Sequence, residues 1–339
     1  MKKTFLLLAL AALICLMLLA IGFGSIDISF ATIIAAIKNL IRNGVDGIDF
    51  TDPIHFIIFE VRLPRIILSV LTGGLLAMAG ASYQAIFQNP MADPFVMGVS
   101  SGAAFGATMA IVFLPATSFF GHTLVSLSAF ACAIITSLIV YTVSRTKRGV
   151  DNYSVLLTGI VISAILSSAI SLIMMVHRDE AIAIITWTMG SFNAKSWIHV
   201  GTIFIPTLIA FIVTIYHGKD LNLLVMGEEE AISMGLDVKK LKRNLLLLSA
   251  LLTSLAVSVS GIIGFVGLIV PHFIRLIFGG DHKFLMPASM IVGGIFMLLA
   301  DTLARSLISG FELPVGIITS LIGGPLFMVL LIKHKRSLQ

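Results

Sequence analysis

Long uncharged runs cut by short polar breaks dominate this chain. A membrane-spanning helix needs about 20 apolar residues. Dividing the uncharged intervals at their Pro, Gly and polar positions predicts ten spans: 5–23, 62–86, 94–114, 122–144, 153–176, 197–216, 244–261, 264–278, 284–304 and 313–332. The interval between Asp93 and Arg145 is too long for one helix and breaks near Pro115, Gly121 and His122, so it holds two. The weakest candidate is GFVGLIVPHFIRLIF, 264–278, which is short and carries Pro271, His272 and Arg275. AIAIITWTMGSFNA, 181–194, is too short to cross and predicts a surface-lying or re-entrant helix with Trp187 at the interface. The N-terminal run resembles a secretory signal, but the charge-free stretch from Thr4 to Ser25 is long enough to span, so a retained first helix is expected.

Charge orients these spans. Lys2 and Lys3 at one terminus and Lys333, Lys335 and Arg336 at the other imply that both are cytoplasmic, which demands an even number of crossings. That arrangement puts 15 of the 22 Lys and Arg residues inside and 7 outside. At 58% hydrophobic and 12% charged residues, the 339-residue chain is an all-α polytopic membrane protein embedded in a lipid bilayer. The net charge of +5 comes from short clusters between apolar runs, a pattern that speaks against a nucleic-acid partner. Cys15 and Cys132 lie within apolar runs and read as small hydrophobes.

The stretch QAIFQNPMADPFVMGVSSGAAFGA, 84–107, predicts a tight cytoplasmic turn over 87–93 followed by a helix from Pro94, with Asp93 as N-cap. On that helix Gly98, Gly102 and Gly106 share one face, and the preceding span offers Gly73, Ala77, Gly80 and Ala81. Small residues four apart let membrane helices approach closely. These glycines read as helix-packing positions.

Ion-coupled carriers place an ionisable residue deep in a span. Here the central parts of the spans contain almost no ionisable residue, and Arg62, Arg65, Asp301 and Arg305 sit near predicted outer ends. No phosphate-cradling G-x-x-x-x-G-K-[ST] loop, Ser/His/Asp grouping or HExxH is present, so the chain has no catalytic candidates and uphill transport would need a partner's energy. His272, beside a helix-breaking proline, reads as a packed or hydrogen-bonding residue, and neither a metal site nor a cofactor is expected. In HGKDLNLLVMGEEEAISMGLDVKKLKRN, 217–244, Gly227 and Gly235 bracket a short helical piece whose first turn holds three glutamates, and Asp237 caps the next helix. This is either a solvated loop or a docking surface for a cytoplasmic protein.

RLPRIILSVLTGGLLAMAGASYQAIFQNPMADPFVMGVSSGAAFGA, MGEEEAISMGLDV, GIIGFVGLIVPHFIRLIFGGDHKFLMP, LLADTLAR and ELPVGIITSLIGGPLFMVLL, in that order from Arg62 onward, resemble the permease subunits of binding-protein-dependent ABC importers for iron-siderophores, haem and vitamin B12, the FecCD/BtuC-like family. The resemblance implies one transmembrane permease domain over 1–339, with 217–243 as cytoplasmic coupling loop and 177–196 as extracytoplasmic loop. It also implies a homodimer in a bacterial or archaeal plasma membrane, two cytoplasmic ABC ATPase subunits, an extracytoplasmic substrate-binding protein and a metal-chelate cargo. By similarity Gly227, Glu228, Ala231 and Gly235 contact the ATPase. Arg62, Arg65 and Arg305, as exposed outer arginines, would receive acidic residues of the binding protein, although Asp301 one turn away would also neutralise Arg305. A self-sufficient secondary transporter or channel is the alternative reading.

Overall fold

The computed structural model describes residues 1–24, 26, 28–44, 48, 50–114, 121–146, 149–308 and 310–337. Within them the chain forms α1 (Lys2–Gly22), α2 (Phe30–Asn43), α3 (Pro53–Phe56), α4 (Leu63–Ile86), α5 (Val99–Phe113), α6 (Gly121–Val143), α7 (Asn152–Val176) and α8 (Ala181–Thr188). It continues through α9 (Trp197–Tyr216), α10 (Gly218–Met226), α11 (Glu228–Ser233), α12 (Val238–Ser260), α13 (Val266–Phe278), α14 (His282–Ser306) and α15 (Val315–Ser337). A two-residue hairpin, β1 (Arg145–Thr146) with β2 (Gly149–Val150), joins α6 to α7. Among the described residues seven helices are long and apolar enough to cross a membrane, counting Pro53–Ile86 as one rod, and α5, α13 and Val315–Leu330 are shorter apolar helices. The ten sequence-predicted spans all fall on these helices. The predicted break at Pro115 lies outside the described residues.

The helix α4 is the hub, packed by α14, α12, α13 and α9 and buried along nearly its whole length. Glycine makes this possible. A Cβ at Gly73 would stand 2.2 Å from the Gly293 carbonyl of α14, and one at Gly80 would stand 1.8 Å from the Gly267 carbonyl of α13. Such backbone-to-backbone approach is how helices associate where lipid removes the hydrophobic drive.

Upstream of α4 the rod contains a π-helical turn, Ile57–Arg62. There the Leu63 N–H reaches Ile58 O, and Pro64 has no N–H to offer to Phe59 O one residue on. The Trp197 indole donates to that Phe59 carbonyl at 3.0 Å, filling the vacancy.

Two expectations about the turn after α4 need correction. Asp93 does cap, accepting from Phe95 N at 2.8 Å, but Pro94–Met97 is a single 3₁₀ turn. Gly98 then adopts a left-handed conformation (φ +68) and the α-helix begins at Val99. Gly98 is therefore the junction between two helical pieces and precedes the helix, although a Cβ there would still come within 3.1 Å of Thr136 on α6. Gly102 and Gly106 do pack closely, yet against α6, where their Cβ atoms would collide with Thr136 and with the Ser128 carbonyl. The small residues of α4 serve α13 and α14.

Amphipathic α2 lies in a segment where the run-cutting placed no element. Ser29 caps it by accepting from Thr32 N at 3.2 Å, and it buries Ile33 and Ala36 against Leu13, Ile21 and Ile58 while Lys38 and Arg42 stay outside that cluster.

Between α12 and α13 the chain runs non-helically from Gly261, and Phe265 takes a left-handed conformation (φ +70) before α13 starts. That segment accounts for the shortness of the weakest predicted span: α13 begins partway along α4, beside Gly80 and Leu76. Irregular backbone survives at membrane depth only when protein surrounds it.

Candidate functional site

Polar side chains concentrate at the two ends of the bundle. At the end where α1 stops, three arginines converge. Arg65 donates from Nε and Nη2 to Asp301 (3.1, 3.1 and 2.9 Å) and from Nη1 to Glu312 (2.8 Å). Arg305 donates to Ala20 O at 2.6 Å, and Arg62 to the carbonyls of Ile21 and Ile26. These last two satisfy carbonyls in and just past the last turn of α1, which no further helical turn can serve.

The expected exposure of Arg62, Arg65 and Arg305 is thus corrected. They are 5%, 5% and 3% exposed, and the hydrogen bonds they make run to groups of their own chain. Asp301, fully buried, has Arg65 as its principal partner, with Arg305 at a looser 3.8 Å. The charge pattern locates these side chains at a bundle end, but their partners lie up to 285 residues away in sequence.

Nearby, α8 packs back on the core, the re-entrant of the two expected forms. Trp187 is half-buried against a cluster containing Ala104, Ile170 and Ile184, and Gly190 O accepts from Val315 N at 2.9 Å. Lys195, in the link to α9, is pushed down to about 8 by burial. It lines a recess of about 550 Å³ with Trp187, Asn193 and Glu312.

The opposite end carries the segment 217–243. Leu221 and Leu224 of α10 are buried, and Gln88 donates to Leu224 O at 2.8 Å. Asn222 bridges to the turn before α14, donating to Asp281 at 2.9 Å and accepting from His282 N at 2.7 Å. Its hydrogen bond is the main reason that the Asp281 carboxyl sits below its ordinary range. Lys2 reaches the same carboxylate at 3.7 Å, which places the start of α1 at this end. The helix α15 starts at the other end, where Val315 N donates to Gly190 O.

Gly227 turns the chain between α10 and α11 with φ +142. A Cβ there would meet Glu230 Oε2 at 1.8 Å, because that carboxylate folds back over the N-terminus of α11, where the helix dipole favours it. Gly235 (φ +84) ends the turn, Leu236 N returns to Ala231 O at 3.0 Å, and Asp237 caps α12 through Lys240 N at 3.0 Å. The bracketed knuckle read from the sequence is present. Ala231 is its buried foot, whereas Met226, Ile232 and Met234 are exposed beside Glu229. A contact that sequence reasoning missed joins this knuckle to α7: Lys242 Nζ donates to Glu228 Oε1 at 2.7 Å and to Asn152 Oδ1 at 3.0 Å. No sequence signal links positions 152 and 242.

Among the described residues no group of three or more His, Cys, Asp or Glu is arranged to hold a metal. What the architecture defines is a multi-pass membrane permease with a structured polar knuckle at one end. The chain belongs to the FecCD transport family, whose model matches residues 12–333. It is 37% identical over 336 residues to the hemin transport system permease of Yersinia pestis, covering 96% of this chain and 95% of that protein. It is 41% identical over 275 residues to the cobalamin import system permease of Halobacterium salinarum, covering 81% and 73%. A solved metal-chelate type ABC transporter in an inward-facing conformation superposes with a TM-score of 0.83 at 33% identity, covering 98% of this chain and 99% of that one. The protein is accordingly a permease of an ABC importer for metal chelates and related substrates, a transport protein and not a catalytic one.

Proposed function

We propose that two copies of this chain form the passage of an ATP-driven importer for an iron-siderophore, haem or cobalamin, in a bacterial or archaeal plasma membrane. Residues 1–339 act as one permease domain with both termini in the cytoplasm. Separate ABC ATPase subunits supply the energy by docking on 217–243, where Gly227, Glu228, Ala231 and Gly235 shape the contact. An extracytoplasmic binding protein delivers the chelate at the other end, which carries 177–196. The arginine cluster lies beneath that surface and fixes the ends of α1, α4 and α14.

The observation that carries the coupling role is the knuckle itself. Two glycines in conformations that L side chains avoid hold exposed Met226, Ile232 and Met234 together with acidic Glu229 at the bundle end. An apolar patch with an acidic edge is suited to a protein cleft. Support for self-pairing comes from α7, whose only buried residues are Val155, Gly159 and Ile170. Ser163, Ser167 and Ser171 form a stripe four residues apart on it and line a recess of about 370 Å³ with Ser100, Ser101 and Thr188. Lipid would not favour a hydroxyl-lined groove, whereas a watered passage between two copies would.

The test is uptake in cells carrying Gly227→Leu or Gly235→Leu. Both variants force a side chain into a disfavoured conformation, and Gly227→Leu also displaces Glu230. Uptake is expected to fall at least tenfold with membrane insertion unchanged and ATPase co-purification reduced. Full uptake in both variants removes the docking assignment, and uptake that survives deletion of every ATPase favours a secondary transporter or channel.

A further inference from the structure

We infer that Lys242 is a positioning residue that transmits movement of the α11 knuckle to α7. The inference rests on the coupling role proposed for 217–243 and assigns its route into the bundle. Lys242 sits in the second turn of α12, and its side chain is 5% exposed, a rare environment for an ammonium group. A buried ammonium is tolerated only with good partners, and each of its two comes from a different helix. Glu228 is the first residue of α11, and Asn152 is the first residue of α7.

The mechanical roles differ among the three helices. α12 is packed against α4, α5 and α6, so the backbone that carries Lys242 is fixed to the core. α11 packs mainly on α10 and α12 and presents most of its surface outward. α7 is the least enclosed of the long helices. Its N-terminus is held by Asp151, which accepts from the Ser154 amide at 2.8 Å and hydroxyl at 2.6 Å, with the short hairpin in front of it. Lys242 therefore joins two lightly held elements across a rigid one. Hydrogen bonds of 2.7 and 3.0 Å do not stretch by an ångström and survive. When α11 is displaced, the ammonium follows Glu228 and draws on Asn152, or it loses a partner in a place where water is scarce.

Room for this motion exists. A recess of about 570 Å³ opens beside the pair, lined by Thr146, Gly149, Asp151, Asn152, Glu228 and Lys242. The α7 N-terminus thus has open space next to it at the point where Lys242 grips it. Its serine stripe begins three turns further on, so a small tilt imposed at Asn152 is delivered to the groove that the proposed reading assigns to the cargo.

The experiment uses the complete transporter, permease with its ATPase and binding protein, in liposomes, and counts ATP hydrolysed per molecule of ferric chelate imported. Lys242→Met is expected to raise that ratio at least fivefold. Lys242→Arg, which keeps a charge within reach of both oxygens, is expected to stay within twofold of wild type. Asn152→Ala, which cuts only the α7 arm, is expected to raise the ratio in the same direction, and it replaces Lys242→Met should that variant not insert. A ratio unchanged in Lys242→Met or Asn152→Ala, with hydrolysis and uptake falling together or not at all, overturns the inference, as does an Arg variant behaving like Met. Absence of ATP-dependent uptake by the wild-type assembly is a different result: it removes the coupling reading, and this inference with it.

Discussion

Arg65 offers the clearest measure of what the buried arginine cluster does. Replacing it with Leu removes four hydrogen bonds, three to Asp301 and one to Glu312. It also leaves the fully buried Asp301 carboxylate with only Arg305 at 3.8 Å. Taking one partner from a buried ion pair costs about 3–5 kcal/mol, most of it the penalty of the stranded charge. At roughly 2–4 °C per kcal/mol for chains of moderate size, the thermal midpoint should fall by about 10 °C. Arg65→Leu combined with Asp301→Leu removes the stranded carboxylate as well, so the double variant should be more stable than Arg65→Leu alone by about 1–3 kcal/mol. The assay is size-exclusion survival of the detergent-solubilised permease after a temperature ramp, run on both variants and wild type. A single variant with the wild-type midpoint that nonetheless loses binding-protein association would refute this account and return Arg65 to an outward docking role. A double variant no better than the single one would show that Asp301 is not the group left stranded.

Gly80→Val should abolish correct assembly, because its Cβ would start 1.8 Å from the Gly267 carbonyl, whereas Gly264→Ala, with open space around it, should leave the thermal midpoint within about 2 °C of wild type; equal behaviour of the two in the same ramp would argue against close α4–α13 packing. Burial raises the Asp93 carboxyl to about 6. Since the folded state then holds this proton more tightly than the unfolded chain does, the stability it contributes is complete below about pH 4 and is lost as pH rises through 6. The wild-type midpoint should therefore decline from about pH 4 to about pH 6 and level off above that, relative to Asp93→Asn, which keeps an oxygen for the Phe95 amide; parallel profiles would contradict the shift.

The readable parts of this fold are those written in local chemistry. Charge-free runs located all ten apolar helices because lipid solvates the chain by length and hydropathy, and Asp93, Asp237, Gly227 and Gly235 announced their turns because caps and positive φ depend on neighbours a few residues away. Helix α2 escaped because cutting by charge treats Lys38 and Arg42 as loop, although Phe30, Ile33, Ile34, Ile37 and Ile41 repeat at helical spacing and a periodicity test would have found them. Gly98 misled because Asp-Pro signals a start, and nothing local distinguishes one turn of 3₁₀ from a full helix. The direction of the three arginines was hidden for a different reason. Their acceptors are carbonyls and carboxylates brought in by distant helices, and charge alone does not say whether a guanidinium finds water or the end of another helix.

The contrast between α4 and α7 has a consequence for how such a transporter can change over time. Almost every position of α4 is locked by backbone or side chains on all sides, so a substitution there is felt as lost assembly. On α7 most side chains touch little of their own chain, and altering them leaves the core untouched. A helix that contributes so little to holding the molecule together is free to explore new side chains. On the proposed reading of α7 as part of the passage, different cargoes are accommodated by drift along it without any compensating change in the scaffold that positions it.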